Sequence, residues 1–345
     1  MFNYIIIDEA QYIKNHTTKN AFAIKQLKGK HKFALTGTPI ENSLAELWSI
    51  FDFLMPNYLY NYHYFKTHYE NDIVKSNDEQ KQLALKQMVE PFILRRHKKE
   101  VLKELPDKIE NVHRIEFSKE ESKLYLANLT QINQELQEKL KVEKQIDKFA
   151  VLAMMTRLRQ LCCDNRLVYE NIDSTGSKLK ACMELIEQAK DQQQKVLLFS
   201  SFTSMLTLIE EQLQKQNISY YLLTGATSKD LRRQLVNDFQ NDKTTVFLIS
   251  LKAGGTGLNL TSAQIVIHFD PWWNISAQNQ ATDRAYRIGQ TKNVFVHKLI
   301  IKDSIEEKIQ ILQEQKKNLA DTFIEENQGS ITSMSKEEIL SLFSE

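Results

Sequence analysis

Three of the nine glycines fall within four positions, at Gly254, Gly255 and Gly257, in the stretch from Ser250 to Leu260. Glycine at that density lets backbone N–H groups come close to a phosphate or to a nucleic-acid backbone. Farther along, the segment Gln280 to Gln290 places Arg284 and Arg287 at i and i+3, a spacing that on a helix sets both on one face, where they can meet a polyphosphate. Near the other end, Asp8 and Glu9 follow the apolar run Tyr4-Ile5-Ile6-Ile7. That run reads as a strand buried on both faces, and open α/β sheets bind their ligands at the carboxyl ends of such strands.

The elements that must hold these residues follow from apolar periodicity. Lys32 to Leu35 reads as a second strand, closed by the turn Thr36-Gly37-Thr38-Pro39 and followed by an amphipathic helix carrying Leu44, Leu47, Trp48, Phe51 and Leu54. Tyr58 to Tyr69 is rich in aromatic residues at helical spacing, which favours helix packing over nucleic-acid stacking. Phe92 to Pro106 concentrates positive charge. Glu120 to Leu140, with Leu129, Ile132, Leu136 and Leu140 on one seam, and Phe149 to Leu161 predict a helical hairpin. The polar segment Asn171 to Ser177 marks the best boundary. Beyond it, strands at 195–200, 220–223, 245–250, 264–270 and 294–300 alternate with helical patterns, which specifies a mostly parallel sheet with helices on both sides.

A chain of 345 residues has room for two domains of ordinary size. The net charge of +1 predicts no overall attraction to nucleic acid, so any such contact must come from local basic and polar patches. Cys162, Cys163 and Cys182 show neither metal-ligand spacing nor a disulfide framework, which points to a reducing compartment and to packing roles. No apolar run reaches membrane-spanning length, and no membrane partner is expected.

In chain order, Asp8 to Asn15, Leu35 to Pro39, Leu158 to Cys163, the glycine stretch, Asp270-Pro271-Trp272-Trp273-Asn274 and Gln280 to Gln290 resemble motifs of the Swi/Snf-type DNA translocases. These are superfamily-two ATPases that include chromatin remodellers. The resemblance covers nearly the whole chain. It implies an α/β fold of two RecA-like lobes with parallel sheets, the first incomplete, plus inserted helical protrusions. The implied divisions are 1–115 for the first lobe, 116–175 for a protrusion and linker, 176–325 for the second lobe and 326–345 for a tail.

The same resemblance implies ATP and Mg²⁺ held between the lobes. Asp8 would hold Mg²⁺ through the nucleotide, Glu9 would activate the attacking water, and Gln11 would couple the nucleotide to the second lobe together with Thr36 and Thr38. Gly255, Gly257, Gln280, Arg284 and Arg287 would bind the nucleotide, with the two arginines taking part in catalysis. Ser201, Thr224, Lys252, Thr256 and Trp273 would face double-stranded DNA. The object moved would be a DNA-bound protein, in the bacterial cytoplasm at the nucleoid, or in the nucleus of a eukaryote. Gln11 stands where many members carry His, and Asn165, Ile275 and Tyr286 also depart from the pattern. No phosphate loop of the Gly-x-x-x-x-Gly-Lys-Ser/Thr type precedes Asp8. The expectation is therefore a portion of a longer ATPase that by itself hydrolyses little or no ATP. A non-catalytic DNA- or protein-binding homologue and an RNA helicase are the competing readings; the helical insertion between Thr38 and Lys195 favours the duplex-DNA translocase.

Overall fold

Strand pairing gives two separate parallel sheets in a computed structural model that describes residues 1–37, 44–76, 78–94, 96, 98–142, 147–254, 257–272, 274–322 and 342–343. β1 (Phe2–Ile7) pairs with β2 (Gly29–Ala34). The second sheet has the order β3 (Lys108–Ile115), β8 (Val294–Ile301), β7 (Ile265–His268), β4 (Val196–Ser200), β6 (Val246–Ser250), β5 (Tyr220–Leu223). The chain forms two compact units, one chiefly Met1–Lys98 and the other chiefly Lys99–Leu312. The α/β architecture with parallel sheets is the one expected, with a helical hairpin inserted between β3 and β4 of the larger sheet.

In the larger unit, alternate residues of each central strand feed two apolar layers. Val196, Leu198, Val246, Leu248 and Ile267 pack with the helices Ser177–Asp191 and Thr203–Lys215. Leu197, Phe199, Phe247, Ile249 and Val266 pack on the other side, with the helices Lys229–Asn241 and Ile275–Thr282. The chain crosses from β6 over β4 to β7, so β4 lies at the point where strand order reverses, the place where such sheets open a ligand crevice. A buried ion pair braces this unit: Lys178 Nζ donates to Glu306 Oε1 at 2.6 Å, and Glu306 Oε2 accepts the Ile301 N–H at 3.0 Å.

β3 escapes detection in the sequence. Its residues, with two lysine- or arginine-type cations and a glutamate among them, lack a continuous apolar run, and expectation leaves 108–115 with the first lobe. All eight positions pair in register with β8, which makes the segment an edge strand of the larger sheet. Charges suit an edge, because they discourage further strand pairing. The hairpin is formed by the helices Lys119–Val142 and Lys148–Cys163, with Leu129, Ile132, Leu136, Val151, Met155 and Leu158 buried. Cys162, Cys163 and Cys182 are buried beside it, and burial pushes all three thiols up.

The smaller unit departs from expectation at β1. Ile5 is buried with Ile13, Ala21 and Phe53, beneath the helices Lys19–Lys25 and Leu44–Leu54. On the opposite face Tyr4 and Ile6 are each 62% exposed, and Phe2, Phe33 and Leu35 lie open beside them. The strand is thus covered on one face only, since the described residues supply a single covering layer. The aromatic stretch does pack: Tyr58, Tyr62, Phe65 and Tyr69 join Leu44, Leu47, Trp48 and Phe51 in one cluster. Tyr60 and Tyr64 stay exposed, with the Tyr64 ring 3.9 Å from that of His68.

Candidate functional site

In the smaller unit the candidate residues gather where β1 and β2 end. Glu9 occupies the left-handed region, with φ 52° and ψ 55°. A residue with a Cβ held there stores of order 1–3 kcal/mol of strain, a cost found most often at functional positions. Asp8 Oδ1 accepts the Glu9 N–H at 2.9 Å. Glu9 Oε2 accepts from Gln11 Nε2 at 2.6 Å, and Gln11 Oε1 accepts from the Thr36 hydroxyl at 3.0 Å. The backbone bond from Ala10 N–H to the Leu35 carbonyl, 2.9 Å, fixes the two turns against each other. A continuous polar line therefore runs from the carboxylate after β1 to the hydroxyl after β2. Asp8 is exposed and Glu9 partly so, which leaves both within reach of a ligand. Thr38 lies outside the described residues.

In the larger unit the candidates follow the carboxyl ends of β4, β5, β6 and β7: Ser201, Thr224, Lys252 with Gly257, and the Asp270 segment. Parallel pairing is what brings these sequence-distant residues to one edge of the sheet. Ser201 is partly buried and Lys252 exposed. Thr224 Oγ1 accepts the Ala226 N–H at 3.3 Å, which shapes the turn after β5. Gly257 is exposed, and among the described residues, its chain neighbours aside, nothing lies within 4 Å of where a Cβ would stand. Gln280 is partly exposed on the Ile275–Thr282 helix. Gly255, Thr256 and Trp273 lie outside the described residues.

The two arginines differ from expectation. The helix stops at Thr282, so Arg284 and Arg287 sit in turns and share no helix face. Long-range bonds impose this course. Leu260 N–H donates to the Arg284 carbonyl at 2.9 Å, and Gln290 Nε2 donates to the Ala263 and Ala285 carbonyls at 2.9 and 3.2 Å. Gly289, at φ +100°, completes a turn that an L side chain would strain. Arg284 is buried, and its Nε donates to the Gly254 carbonyl at 3.1 Å, joining the arginine turn to the glycine stretch. Arg287 is exposed, and its Nη1 lies 3.4 Å from the Leu258 carbonyl.

A second charged constellation emerges only from the coordinates. Arg159 and Asp270 are both buried and are joined at 3.0 Å, while Asp270 Oδ1 accepts the Ser200 hydroxyl at 2.7 Å and the Ser201 N–H at 3.0 Å. The signal available beforehand is a charge set within an apolar helix and another at the end of an apolar strand, since buried charges require partners. Gln290 is likewise a structural anchor unremarked beyond its place in the motif.

A family model for the SNF2-related domain matches residues 1–167, and one for the helicase conserved C-terminal domain matches residues 177–289. An uncharacterized ATP-dependent helicase of Mycoplasma pneumoniae is 41% identical over 349 residues, an alignment covering 99% of this chain and 32% of the relative. The putative ATP-dependent helicase/translocase YwqA of Bacillus subtilis is 40% identical, with 99% of this chain and 38% of the relative covered. The chain thus spans about a third of the length of the curated relatives it matches. The solved SWI2/SNF2 ATPase core of Sulfolobus solfataricus in complex with dsDNA is 39% identical, with a TM-score of 0.58, covering 98% of this chain and 72% of that one. With the motifs arrayed at strand ends as described and both family models matched in order, the chain belongs to the SWI2/SNF2 family of helicase-like ATPases.

Proposed function

We propose that the chain forms part of an ATP-driven motor that moves along double-stranded DNA and displaces proteins bound to it. The observation that carries this reading is the line of hydrogen bonds from Glu9 through Gln11 to Thr36. It links a carboxylate able to accept a proton from water to the turn after the neighbouring strand, so a change at one end is felt at the other. Asp8 offers oxygen to a hard cation, which suits Mg²⁺ carried on ATP. Bound MgATP supplies the phosphoryl group to be transferred. Glu9 orients the attacking water and takes its proton, a contribution of roughly 10² to 10⁴ in rate. Arg287 and Arg284 stabilise negative charge on the phosphoryl oxygens, worth roughly 10³ to 10⁵ in turnover for an arginine so placed. Gly255, Gly257 and Gln280 bind the nucleotide, Thr38 joins Thr36 in coupling, and Ser201, Thr224, Lys252, Thr256 and Trp273 contact the duplex.

The 345 residues contain no Gly-x-x-x-x-Gly-Lys-Ser/Thr segment, and so lack the backbone cradle, lysine and hydroxyl that such a loop brings to phosphates and Mg²⁺. By itself the chain is expected to release little phosphate from ATP, with or without duplex DNA. Fused behind a phosphate-loop segment, it should show duplex-stimulated release that Glu9→Gln abolishes. Vigorous turnover by residues 1–345 alone would overturn the first expectation. Turnover in the fused protein that ignores duplex DNA or survives Glu9→Gln would overturn the motor.

A further inference from the structure

Arg159 is a buried charged residue to which the nucleotide and DNA assignments give no role. It is 5% exposed and reaches from the Lys148–Cys163 helix to the carboxyl ends of β4 and β7. Its Nη2 shares two hydrogens among three acceptors, Asp270 Oδ2 at 3.0 Å, the Pro271 carbonyl at 2.9 Å and Ser201 Oγ at 3.2 Å. The rings of Phe202 and Trp272 lie 5.2 and 5.9 Å from Cζ. Nε is buried with no hydrogen-bond partner among the described residues. An orphaned buried donor is costly, so the guanidinium is held in place by the bonds at its other end. The three Nη2 contacts converge on the turn that carries Ser201 and on the loop that begins at Asp270.

We propose that Arg159 is a positioning residue for a phosphate of double-stranded DNA, acting through the hydroxyl of Ser201. The proposal rests on the DNA-motor reading above and adds the group that aims one of its contacts. A serine hydroxyl has one hydrogen to give and lone pairs to receive with, whereas a guanidinium can only donate. Arg159 therefore fills an acceptor position on Oγ. Asp270 Oδ1 holds the Ser201 N–H, which fixes the backbone of the turn from which the hydroxyl projects, and the bond from Arg159 then sets the rotamer. The hydroxyl hydrogen is left to point out from a partly exposed residue, in position to meet a phosphodiester oxygen. Because Asp270 neutralises Arg159, the arginine adds geometry and little net charge; the exposed Lys252 is a source of the charge.

Those two roles leave different marks on binding. Titration of a fluorescein-labelled duplex with the 345-residue chain, followed by anisotropy at several salt concentrations, separates them. Ser201→Ala should weaken affinity roughly tenfold or more, the loss of one hydrogen bond to a charged group. Arg159→Lys retains the ion pair with Asp270 but not the planar fork, and should weaken affinity by about the same factor. The double variant should lose no more than either alone. The salt slope should stay unchanged in all three, while Lys252→Ala should reduce it by about one. Thermal melting confirms that each variant is folded at the binding temperature; should Arg159→Lys melt too early, the neutral pair Arg159→Gln with Asp270→Asn takes its place with the same expected coupling. Additive losses in the double variant, or full affinity without the Arg159 guanidinium, would overturn the positioning role and leave the DNA reading standing. Failure of the unaltered chain to bind the duplex would overturn both.

Discussion

β1 and β4 are both short, apolar, parallel strands, and their surroundings could hardly differ more. Every residue of β4 is buried, held between two helical layers and two neighbouring strands. In β1 only Ile5 is buried, and Tyr4 and Ile6 open outward. A continuous apolar run therefore reports that a strand can be enclosed on both faces. Enclosure itself depends on how many covering layers the surrounding chain provides. The same contrast divides the polar groups. The larger unit sequesters charges deep inside and pairs them, whereas the smaller unit keeps Asp8 and Glu9 at its surface.

The buried Lys178–Glu306 pair should give the largest effect by which to test this contrast. Removing one partner leaves an uncompensated charge among apolar atoms, so Lys178→Met should destabilise the larger unit by about 3–5 kcal/mol. Replacing both, as Lys178→Met with Glu306→Leu, should recover most of that loss. Guanidinium unfolding followed by the change in far-ultraviolet dichroism measures both. A single variant as stable as the parent would mean that the pair is not sealed from water, and the deep core of the larger unit would need redrawing.

Truncation of one apolar side chain in each sheet sharpens the comparison further. Leu198→Ala, at a position with no exposure, should cost about 2–5 kcal/mol through lost contacts and the cavity left behind. Ile6→Ala should change stability by less than about 0.5 kcal/mol, because its side chain already faces water. Trp48 lies in the smaller unit and Trp272 in the larger, so fluorescence of variants retaining one tryptophan can follow each transition by itself. An Ile6→Ala cost matching that of Leu198→Ala would show that the open face of β1 is covered in solution.

The larger unit was legible in the sequence for a simple reason: its strands are unbroken apolar runs and its helices repeat their apolar residues every three or four positions. β3 was not, because an edge strand needs few apolar residues and is defined by its partner, β8, far along the chain. The turn carrying Arg284 and Arg287 shows the same limit. Helical spacing extends through it, but bonds from Leu260 and Gln290 pull the backbone out of the helix after Thr282. Glu9 illustrates a third kind of hidden feature, since no local pattern announces a left-handed glutamate. The Arg159–Asp270 pair spans 111 positions, one member on the Lys148–Cys163 helix and the other just past β7, so tertiary packing and no local pattern brings them together. In each case the hidden feature is a long-range constraint on a locally ordinary stretch.

Acid should expose the smallest of these differences, and it should act on the larger unit. His297 on β8 is held down to about 4 by burial and by neighbouring His113, whose own value burial also lowers. The two rings share one hydrogen bond, Nε2 to Nδ1 at 2.8 Å, which requires at least one of them to accept and so to remain neutral on that nitrogen. Burial holds His268 down to about 3. A histidine whose value is depressed on folding contributes stability that is complete above its ordinary 6.5 and is lost as pH falls toward the folded value. Glu110, on β3, loses something to burial, but hydrogen bonds from Lys108 and Lys298 outweigh it and hold the carboxyl at about 2. Its contribution is therefore present above 4.5 and is lost below that. All four groups weaken the larger sheet in the same direction, three of them along the β3–β8 edge. The unfolding midpoint reported by Trp272 should fall steadily below pH 6.5, and His297→Leu should flatten the upper part of that fall. A midpoint that holds level down to the folded value of His297, or an unchanged slope in the variant, would place the acid sensitivity elsewhere.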